Sequence, residues 1–220
     1  MDKHLDKIDS LNNRISKIEL QKKNKNRVNI YVDDEFLFAC SAEIIYRYGL
    51  KPGESIDISF IKEIIEQDNY IKCKNDALKL LEKSYKTEKQ VYDKLFGKGY
   101  ENKTIEKVVI FLKDYNFIND SKYADMYIKE RIGVEGRNKI RCSLLQKGID
   151  KSIISERLEN MDSNTEAEAL VKIAENKYNQ LVKRENDKRK LYKKLGDFLI
   201  RKGYSFEDVK HVVDKFINND

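Results

Sequence analysis

A tripeptide of Lys, Gly and an apolar or aromatic residue recurs three times along this chain of 220 residues. It stands at 98–100, 147–149 and 202–204, so the glycines are separated by 49 and 55 residues. Glycine commonly follows the last turn of a helix because it adopts the left-handed backbone conformation without steric cost. A repeat of this length predicts tandem copies of one small supersecondary unit rather than a single large core.

Apolar residues accompany each of these glycines at fixed distances along the chain. Leu stands four positions before the glycine in every copy, and apolar residues stand three before it and six, ten and thirteen after it. This spacing predicts a helix that ends at the glycine and a second amphipathic helix after a short turn. The positions are Leu95, Phe96, Ile105, Val109 and Leu112; Leu144, Leu145, Ile154, Leu158 and Met161; and Leu199, Ile200, Val209, Val213 and Phe216.

A further helix is predicted ahead of each pair, which gives every repeat three helices. Thr87 with Gln90 has the pattern of a capping box, and Ser205 with Asp208 is a weaker version. The sequence therefore predicts a mainly α-helical protein with three tandem three-helix, helix-turn-helix-like repeats that form an elongated, curved array. The opening helices are predicted at about 75–84, 121–132 and 164–181, and the closing helices at about 102–114, 151–161 and 206–217.

The first third of the chain has a different pattern. Residues 27–32 and 35–40 alternate with the period of a β-strand and flank Asp33-Asp34, which predicts a β-hairpin with the acidic pair at its turn. Residues 15–20 alternate as well and predict a third strand, joined through 21–26. Ser41 is a candidate cap for a short helix that ends at Gly49. This pattern predicts a small α+β module.

Four segments follow from these patterns: an N-terminal module at 1–74 and three-helix repeats at 75–118, 119–161 and 162–220. The chain is 37% charged with a mean hydropathy of −0.72, which suits small units that each need only a thin core. Residues 1–75 hold 13 Lys+Arg and 13 Asp+Glu, so the net charge of +6 arises entirely beyond them. A helical part with excess positive charge indicates an anionic partner, either nucleic acid or an acidic protein surface.

Several classes of protein are disfavoured. No apolar run approaches the roughly 18 residues of a membrane span, and the alternating charges of the first residues are unlike a secretory signal. Cys40, Cys73 and Cys142 are odd in number and widely spaced, which predicts reduced thiols. We therefore expect a cytoplasmic protein.

The sequence offers little material for catalysis. His4 and His211 have no partner at metal-ligand spacing, and no glycine-rich phosphate loop or GxSxG motif is present. Asp33, Asp34 and Glu35 form an acidic cluster, but hairpin turns favour Asp for local backbone reasons. We expect no enzyme activity, no metal and no cofactor.

Basic residues on the predicted helices are more informative. In the helix at about 186–202, Arg189 and Lys193, like Lys190 and Lys194, lie opposite the apolar stripe. In the middle repeat, Arg137 and Arg141 lie beside the apolar stripe of their helix. Such residues bind phosphates or carboxylates, or simply form a solvated face. The recurring tyrosines Tyr85, Tyr123, Tyr127 and Tyr192 are interpreted mainly as core filling.

The middle repeat also carries a family resemblance. Residues 117–124, Phe-Ile-Asn-Asp-Ser-Lys-Tyr-Ala, lead on to Arg131, Gly136, Ile140 and the Lys-Gly-Ile at 147–149. This run is similar to the central signature of the RecX family of recombination regulators. Residues 86–91 and 98–100 resemble the first repeat of that family, and the N-terminal module resembles the extension of its Gram-positive type. Asn116 stands where the family usually has Gly, and Lys86 where it often has Arg.

The resemblance implies a regulator of the RecA recombinase. RecX-family proteins bind RecA and its filament on single-stranded DNA, usually lowering its ATPase, strand-exchange and co-protease activities in recombination, DNA repair and the SOS response. This implies a monomeric binding module without catalytic residues. The residues expected to bind the recombinase or DNA are Tyr123, Arg131, Arg137, Lys139, Arg141, Lys147, Arg189, Lys190, Lys193, Lys194, Arg201 and Lys202.

Two other functions stay open at this point. The repeats resemble helix-turn-helix readers, so a direct DNA-binding protein is the alternative, with weak, salt-sensitive affinity. Glu106, Glu156 and Glu159 in the predicted closing helices disfavour sequence-specific reading of the major groove, because they repel phosphates. A purely structural scaffold would explain the repeats but not the localised positive charge.

Overall fold

The computed structural model describes residues 13–161 and 163–218. These residues form two compact units. The first comprises the described residues up to Lys83 together with Tyr92–Leu112, and the second comprises Ser84–Val91 and the described residues from Lys113 onward. The strands and helices are β1 (Ile15–Gln21), β2 (Asn24–Val32), β3 (Glu35–Ser41), α1 (Ala42–Tyr48), α2 (Ile58–Lys83), α3 (Glu88–Phe96), α4 (Asn102–Asp114), α5 (Asp120–Arg131), α6 (Arg137–Gln146), α7 (Lys151–Glu159), α8 (Ser163–Leu181), α9 (Lys188–Arg201) and α10 (Phe206–Asn218).

The three strands form an antiparallel sheet in the order β1-β2-β3. The predicted hairpin and third strand are confirmed. Asp33 and Asp34 both have positive φ values, 48° and 66°, as the tight turn of a twisted hairpin requires. The predicted connection at 21–26 is too long, because β1 and β2 continue almost to the turn and leave only Lys22 and Lys23 between them.

Helices α1 and α2 cover the sheet and enclose the core of the module. Gly49 ends α1 with φ 65°, as predicted. Ser41 stands at the cap position of α1, but its side chain makes no capping hydrogen bond, so that detail of the prediction is wrong. Helix α2 is continuous across 74 and 75, and the helix predicted at 75–84 is its C-terminal part. The large core side chains include Ile15, Ile30, Ile44, Ile61 and Ile64.

The three-helix repeats are confirmed: each predicted opening, middle and closing helix is present. Gly99, Gly148 and Gly203 end the middle helices with φ values of 88°, 85° and 94°. Asn116 also adopts a positive φ, 56°, so it can replace glycine at this turn. The leucines four positions before each glycine are fully buried: Leu95, Leu144 and Leu199.

The apolar residue three positions before each glycine is not in the core. Phe96, Leu145 and Ile200 are 59%, 36% and 43% exposed. Successive helical residues point about 100° apart, so the position next to a buried leucine falls outside the apolar stripe. The apolar residue that recurs at this position therefore lies outside the core in all three repeats.

Both predicted capping patterns are present. The Thr87 hydroxyl accepts a hydrogen bond from the backbone N–H of Gln90, and the Gln90 side chain accepts one from the backbone N–H of Thr87, each at 3.2 Å. The Ser205 hydroxyl accepts from the backbone N–H of Asp208 at 3.1 Å and donates to the Asp208 carboxylate at 2.6 Å. In 13–161 and 163–218, no helix is long and apolar enough to cross a membrane.

Candidate partner-binding surfaces

The second and third repeats are joined by direct backbone contacts within the second unit. The backbone N–H of Gly136 donates to the carbonyl of Lys202 at 2.9 Å, and that of Asn138 donates to the carbonyl of Gly203 at 3.1 Å. A Cβ atom on Gly136 would lie 2.5 Å from backbone atoms of Gly203 and Tyr204. Glycine at 136 therefore permits the start of α6 to meet the Lys-Gly turn of the next repeat.

Two of the predicted binding residues belong to this junction. The Glu166 carboxylate accepts hydrogen bonds from the backbone N–H of Arg137 at 2.9 Å and from its guanidinium group. A second guanidinium nitrogen donates to the carbonyl of Leu158 at 3.4 Å. Lys139 pairs with Glu135 at 3.1 Å. Arg137 and Lys139 thus already have internal carboxylate partners, which makes them weaker candidates for an external contact than the sequence indicated.

A similar junction involves the start of α3, also within the second unit. The Thr87 hydroxyl donates to the carbonyl of Lys147 at 2.6 Å, and the backbone N–H of Glu88 donates to Asp120 at 2.9 Å. Burial raises the pKa of Asp120, while the hydrogen bond from Glu88 opposes that rise. In both junctions a carboxylate from one repeat binds the first N–H of the middle helix in the repeat before it, where the helix dipole favours negative charge.

Three tyrosines form a row on the second unit, which we call the tyrosine row: Tyr85, Tyr123 and Tyr127. The ring centroids of Tyr85 and Tyr123 are 6.2 Å apart, those of Tyr123 and Tyr127 are 6.3 Å apart, and both pairs are nearly parallel. All three side chains are half-buried. The prediction that tyrosines mainly fill the core therefore misses that part of each of these rings remains accessible.

Cations lie on the faces of the tyrosine row. The Lys147 ammonium is 5.7 Å from the Tyr123 centroid and 5.4 Å from that of Tyr127, and the Arg131 guanidinium is 5.7 Å from Tyr127. Lys122 lies 5.9 Å from the Tyr85 centroid. Among the described residues, neither Lys122 nor Lys147 has a carboxylate within 4.0 Å. Arg131, in contrast, pairs with Glu130 at 3.5 Å. Aromatic rings with adjacent unpaired lysines are typical of surfaces that bind nucleic acid or other anions.

The largest concentration of charge lies at the α8–α9 turn and the start of α9, and we call it the cationic strip. Six of the eleven residues from 183 to 193 are Lys or Arg, and all six are exposed. The two acids in this segment are engaged: Glu185 pairs with Lys194 at 2.8 Å, and Asp187 accepts from the backbone N–H groups of Arg189 and Lys190. The strip consists of Lys183, Arg184, Lys188, Arg189, Lys190 and Lys193.

No carboxylate among the described residues lies within salt-bridge distance of a member of the cationic strip. The hydrogen bond from Lys194 is the main cause of the lowered pKa of Glu185, and Lys190 adds to it. Arg189, Lys190 and Lys193 are thus located as predicted, on an exposed face, whereas Lys194 is partly neutralised by Glu185. The strip carries uncompensated positive charge.

The remaining predicted residues lie apart from these surfaces in the sequence. Arg141 is exposed and lines a groove of about 620 Å³ between the second and third repeats, together with His211. Arg201 is exposed, and the Lys202 ammonium lies 5.9 Å from the ring of Phe198. No cluster of three or more His, Cys, Asp or Glu side chains suited to a metal ion occurs within the described ranges.

Family models of known proteins match the N-terminal module and each of the three repeats. Residues 13–57 match the family model of the regulatory protein RecX N-terminal domain, and residues 73–112, 119–158 and 164–213 match those of the first, second and third three-helix domains of RecX. The chain is 56% identical to the regulatory protein RecX of Clostridium tetani over 208 residues, 94% of this chain and 96% of that protein. The chain belongs to the RecX family.

Solved structures agree with this assignment to the RecX family. A crystal structure of regulatory protein RecX aligns with a TM-score of 0.73 at 28% identity, covering 94% of this chain and all of that one. The structure of RecX from Lactobacillus salivarius aligns with a TM-score of 0.62 at 27% identity, covering 68% of this chain and 97% of that one. The RecX relatives are named as regulatory proteins rather than enzymes.

The sequence alone did not identify every member of these RecX surfaces. Tyr85 and Tyr127 were assigned mainly to the core, and Lys122 was missed because its neighbour Tyr85 is 37 residues away in the chain. Lys183, Arg184 and Lys188 were missed because the first two precede the helix predicted at about 186–202 and the third lies in its first turn. The local density of Lys and Arg from 183 to 193 was the available signal.

Proposed function

We propose that this RecX-family protein binds the RecA recombinase and its filament on single-stranded DNA, and inhibits the ATPase, strand-exchange and co-protease activities of the recombinase. It acts in the cytoplasm, as a monomer, in recombination, DNA repair and the SOS response. The protein is a binding module: the recombinase carries out the chemistry, and the helical repeats supply surfaces that hold it in a less active state.

The observation that carries this proposal is the cationic strip on the third three-helix domain. Its six cations have no carboxylate partner among the described residues, whereas Arg137 and Lys139 in the second domain do. Exposed cations without internal partners retain their full charge for an acidic protein surface or a phosphate backbone. A nucleoprotein filament presents both kinds of anionic group.

Several modest contacts suffice for such an inhibitor. A filament offers the same binding site many times, and repeats of one type in the inhibitor offer related surfaces. Linked contacts raise the effective concentration of each further contact, so avidity exceeds the affinity of any single surface. The cationic strip, the tyrosine row with its cations, Arg141, Arg201 and Lys202 are the contacts that we assign to this function.

The direct test reverses charge in the cationic strip. In the triple variant Arg189→Glu, Lys190→Glu and Lys193→Glu, we expect the concentration for half-inhibition of RecA ATPase on single-stranded DNA to rise by at least about tenfold. All three side chains are exposed, so the helical circular dichroism spectrum should be unchanged. Raising the salt from about 50 to about 200 mM should weaken inhibition by the wild type more than by the variant.

A matched control separates local charge from net charge. The variant Lys62→Glu, Lys83→Glu and Lys103→Glu changes three exposed lysines of the first compact unit and alters the net charge by the same amount. It should inhibit as the wild type does. Equal inhibition by wild type and the strip variant, or equal losses in the strip variant and this control, would contradict the proposed role of the strip.

Direct binding to DNA is the second candidate, and the tyrosine row favours it. Rings with adjacent, unpaired cations suit single-stranded nucleic acid, whose bases stack on aromatic side chains while phosphates contact Lys and Arg. Against helix-turn-helix reading of a duplex, Glu106, Glu156 and Glu159 are exposed on the closing helices α4 and α7. These carboxylates repel the phosphates that such a helix must approach.

Pull-down with RecA alone, with naked DNA and with the RecA–DNA filament distinguishes the two functions. The proposed function requires binding to RecA or the filament in excess of binding to naked DNA. Binding to naked single-stranded DNA alone, abolished by Tyr123→Ala and by added salt, would favour the second candidate. The chain has no Trp but 13 Tyr, so the part of the tyrosine quenching that Tyr123→Ala removes reports on contact with the row.

A further inference from the structure

The sheet of the N-terminal module ends in an unpaired strand. Within the described residues, β3 (Glu35–Ser41) pairs with β2 on one side only. Alternate residues of such an edge strand direct their backbone N–H and C=O groups away from the sheet, where they are available to another strand. On β3 this outward set includes Ser41 and Ala39, because the N–H of Ser41 and the C=O of Ala39 bond to side chains rather than to β2.

A groove of about 250 Å³ runs along this edge. On one side it is lined by five consecutive residues of β3, Phe36 to Cys40, so it follows the backbone of the strand rather than crossing one face of the sheet. On the other side it is lined by one stripe of α2, including Ile61, Ile65 and Asn69. Most of the lining is therefore apolar, and the exposed ring of Phe36 (46%) stands at the β3 side.

A charged cluster closes one end of the groove. The buried Asp68 carboxylate pairs with Arg27 at 3.2 Å and with Lys72 at 2.6 Å, and accepts from the backbone N–H of Ser41 at 2.8 Å. Arg27 also donates to the carbonyl of Ala39 at 2.7 Å. These side chains occupy the outward backbone groups that a neighbouring strand would bind at this end, and two cations against one carboxylate leave the end positive.

We propose that the groove between β3 and α2 binds an extended segment of a partner polypeptide, which pairs with β3 as a fourth strand and places an acidic group near Lys72. The edge backbone requires an occupant in β conformation, since only an extended chain matches the spacing of its N–H and C=O groups. The apolar lining requires apolar side chains at alternate positions of that segment. The positive end selects a carboxylate over a basic group.

The bulge in β3 defines where this pairing begins. The register of β2 with β3 shifts between Ile30 and Tyr31, opposite Phe38 and Phe36, so Leu37 has no direct partner on β2. A bulged residue leaves backbone groups outside the ladder. The backbone groups of Leu37 and the N–H of Ala39 therefore point away from the sheet. They lie next to the backbone groups that Arg27 and Asp68 already bind, and an added strand would bond to them.

The test uses the full chain and a panel of fluorescein-labelled heptapeptides. The peptides have Val, Ile or Leu at alternate positions, Thr between them and Asp at the C-terminus. We expect saturable binding by fluorescence polarisation, and slower hydrogen exchange at the amides of Leu37 and Ala39 in the bound wild-type protein. Peptides methylated on alternate backbone nitrogens, which cannot pair along one edge, should bind at least about tenfold more weakly, and peptides ending in Lys should also lose affinity.

The chain offers a matched pair of variants. Phe36→Asp places charge in the groove, whereas Leu20→Asp places it on β1, where Leu20 is 59% exposed at the opposite edge of the sheet. The first should weaken peptide binding about tenfold and the second should not. The proposal is overturned if no peptide of the panel binds below about 1 mM, if N-methylated peptides bind equally well, or if exchange at Leu37 and Ala39 is unchanged.

Discussion

Replacing Gly136 by alanine should separate the second and third three-helix domains. The new Cβ would lie 2.5 Å from the backbone carbon and oxygen of Gly203 and the nitrogen of Tyr204, whereas ordinary contacts begin at 3.4 Å. Backbone atoms cannot rotate aside as a side chain can, so the two domains must part by about 1 Å. The hydrogen bonds from Gly136 to Lys202 and from Asn138 to Gly203 are then lost or weakened.

The expected change in the free energy of unfolding follows from the lost hydrogen bonds, the forced separation and the change in the unfolded chain. Two backbone hydrogen bonds contribute about 1 kcal/mol each, and the forced separation costs about 1–3 kcal/mol. Gly136 has an ordinary φ of −79°, so alanine gains about 0.4–1 kcal/mol by restricting the unfolded chain. The net loss in the free energy of unfolding should be about 2–5 kcal/mol.

Gly196→Ala is the matched control for this prediction. Gly196 lies within α9, and a Cβ built there meets nothing within 4 Å. Alanine in a helix interior is more stable than glycine by about 0.5–1 kcal/mol, so this variant should unfold at higher urea than the wild type. Urea denaturation followed by circular dichroism measures both variants. Equal shifts of the two in the same direction, or a Gly136→Ala protein as stable as the wild type, would refute the proposed backbone contact.

Two further predictions concern a core leucine of the second unit and an ion pair of the first. Leu144 is fully buried in α6, so Leu144→Ala should lower the free energy of unfolding by about 2–5 kcal/mol, and a thermal melt identical to that of the wild type would refute its core position. Burial alone would raise the pKa of Asp76, but hydrogen bonds from Lys98 and Tyr100 lower it. A carboxyl group whose pKa is lowered in the folded protein stabilises the fold above the pKa of the unfolded chain, about 4, and this stability is lost as the pH falls. Asp76→Asn should therefore reduce the loss of stability at acidic pH in a curve of unfolding free energy against pH. An unchanged loss at acidic pH would contradict the pairing of Asp76 with Lys98 and Tyr100.

Much of the fold was predictable because its signals are local. The glycines at 99, 148 and 203 mark helix ends since glycine takes positive φ at little cost, and the leucine four residues earlier is buried in each repeat. The Asp33-Asp34 turn was predictable because Asp is favoured in tight turns and tolerates the left-handed backbone conformation. The exposure of the residue three positions before each glycine was not predictable, because periodicity places a residue near an apolar stripe but does not show how far the neighbouring helices cover that stripe.

The candidate surfaces, like the fold, combine features with local sequence signals and features that depend on distant residues. Sequence alone determined the repeats, the caps at Thr87 and Ser205, the resemblance to the RecX family and the richness of the α8–α9 segment in Lys and Arg, since each depends on residues a few positions apart. Only the tertiary structure decided that Glu166 neutralises Arg137, that Tyr85 stacks on Tyr123, and that the strip around Arg189 keeps its charge. The physical reason is distance: ion pairs and ring contacts act over a few ångströms in space, and the partners lie tens of residues apart in the chain.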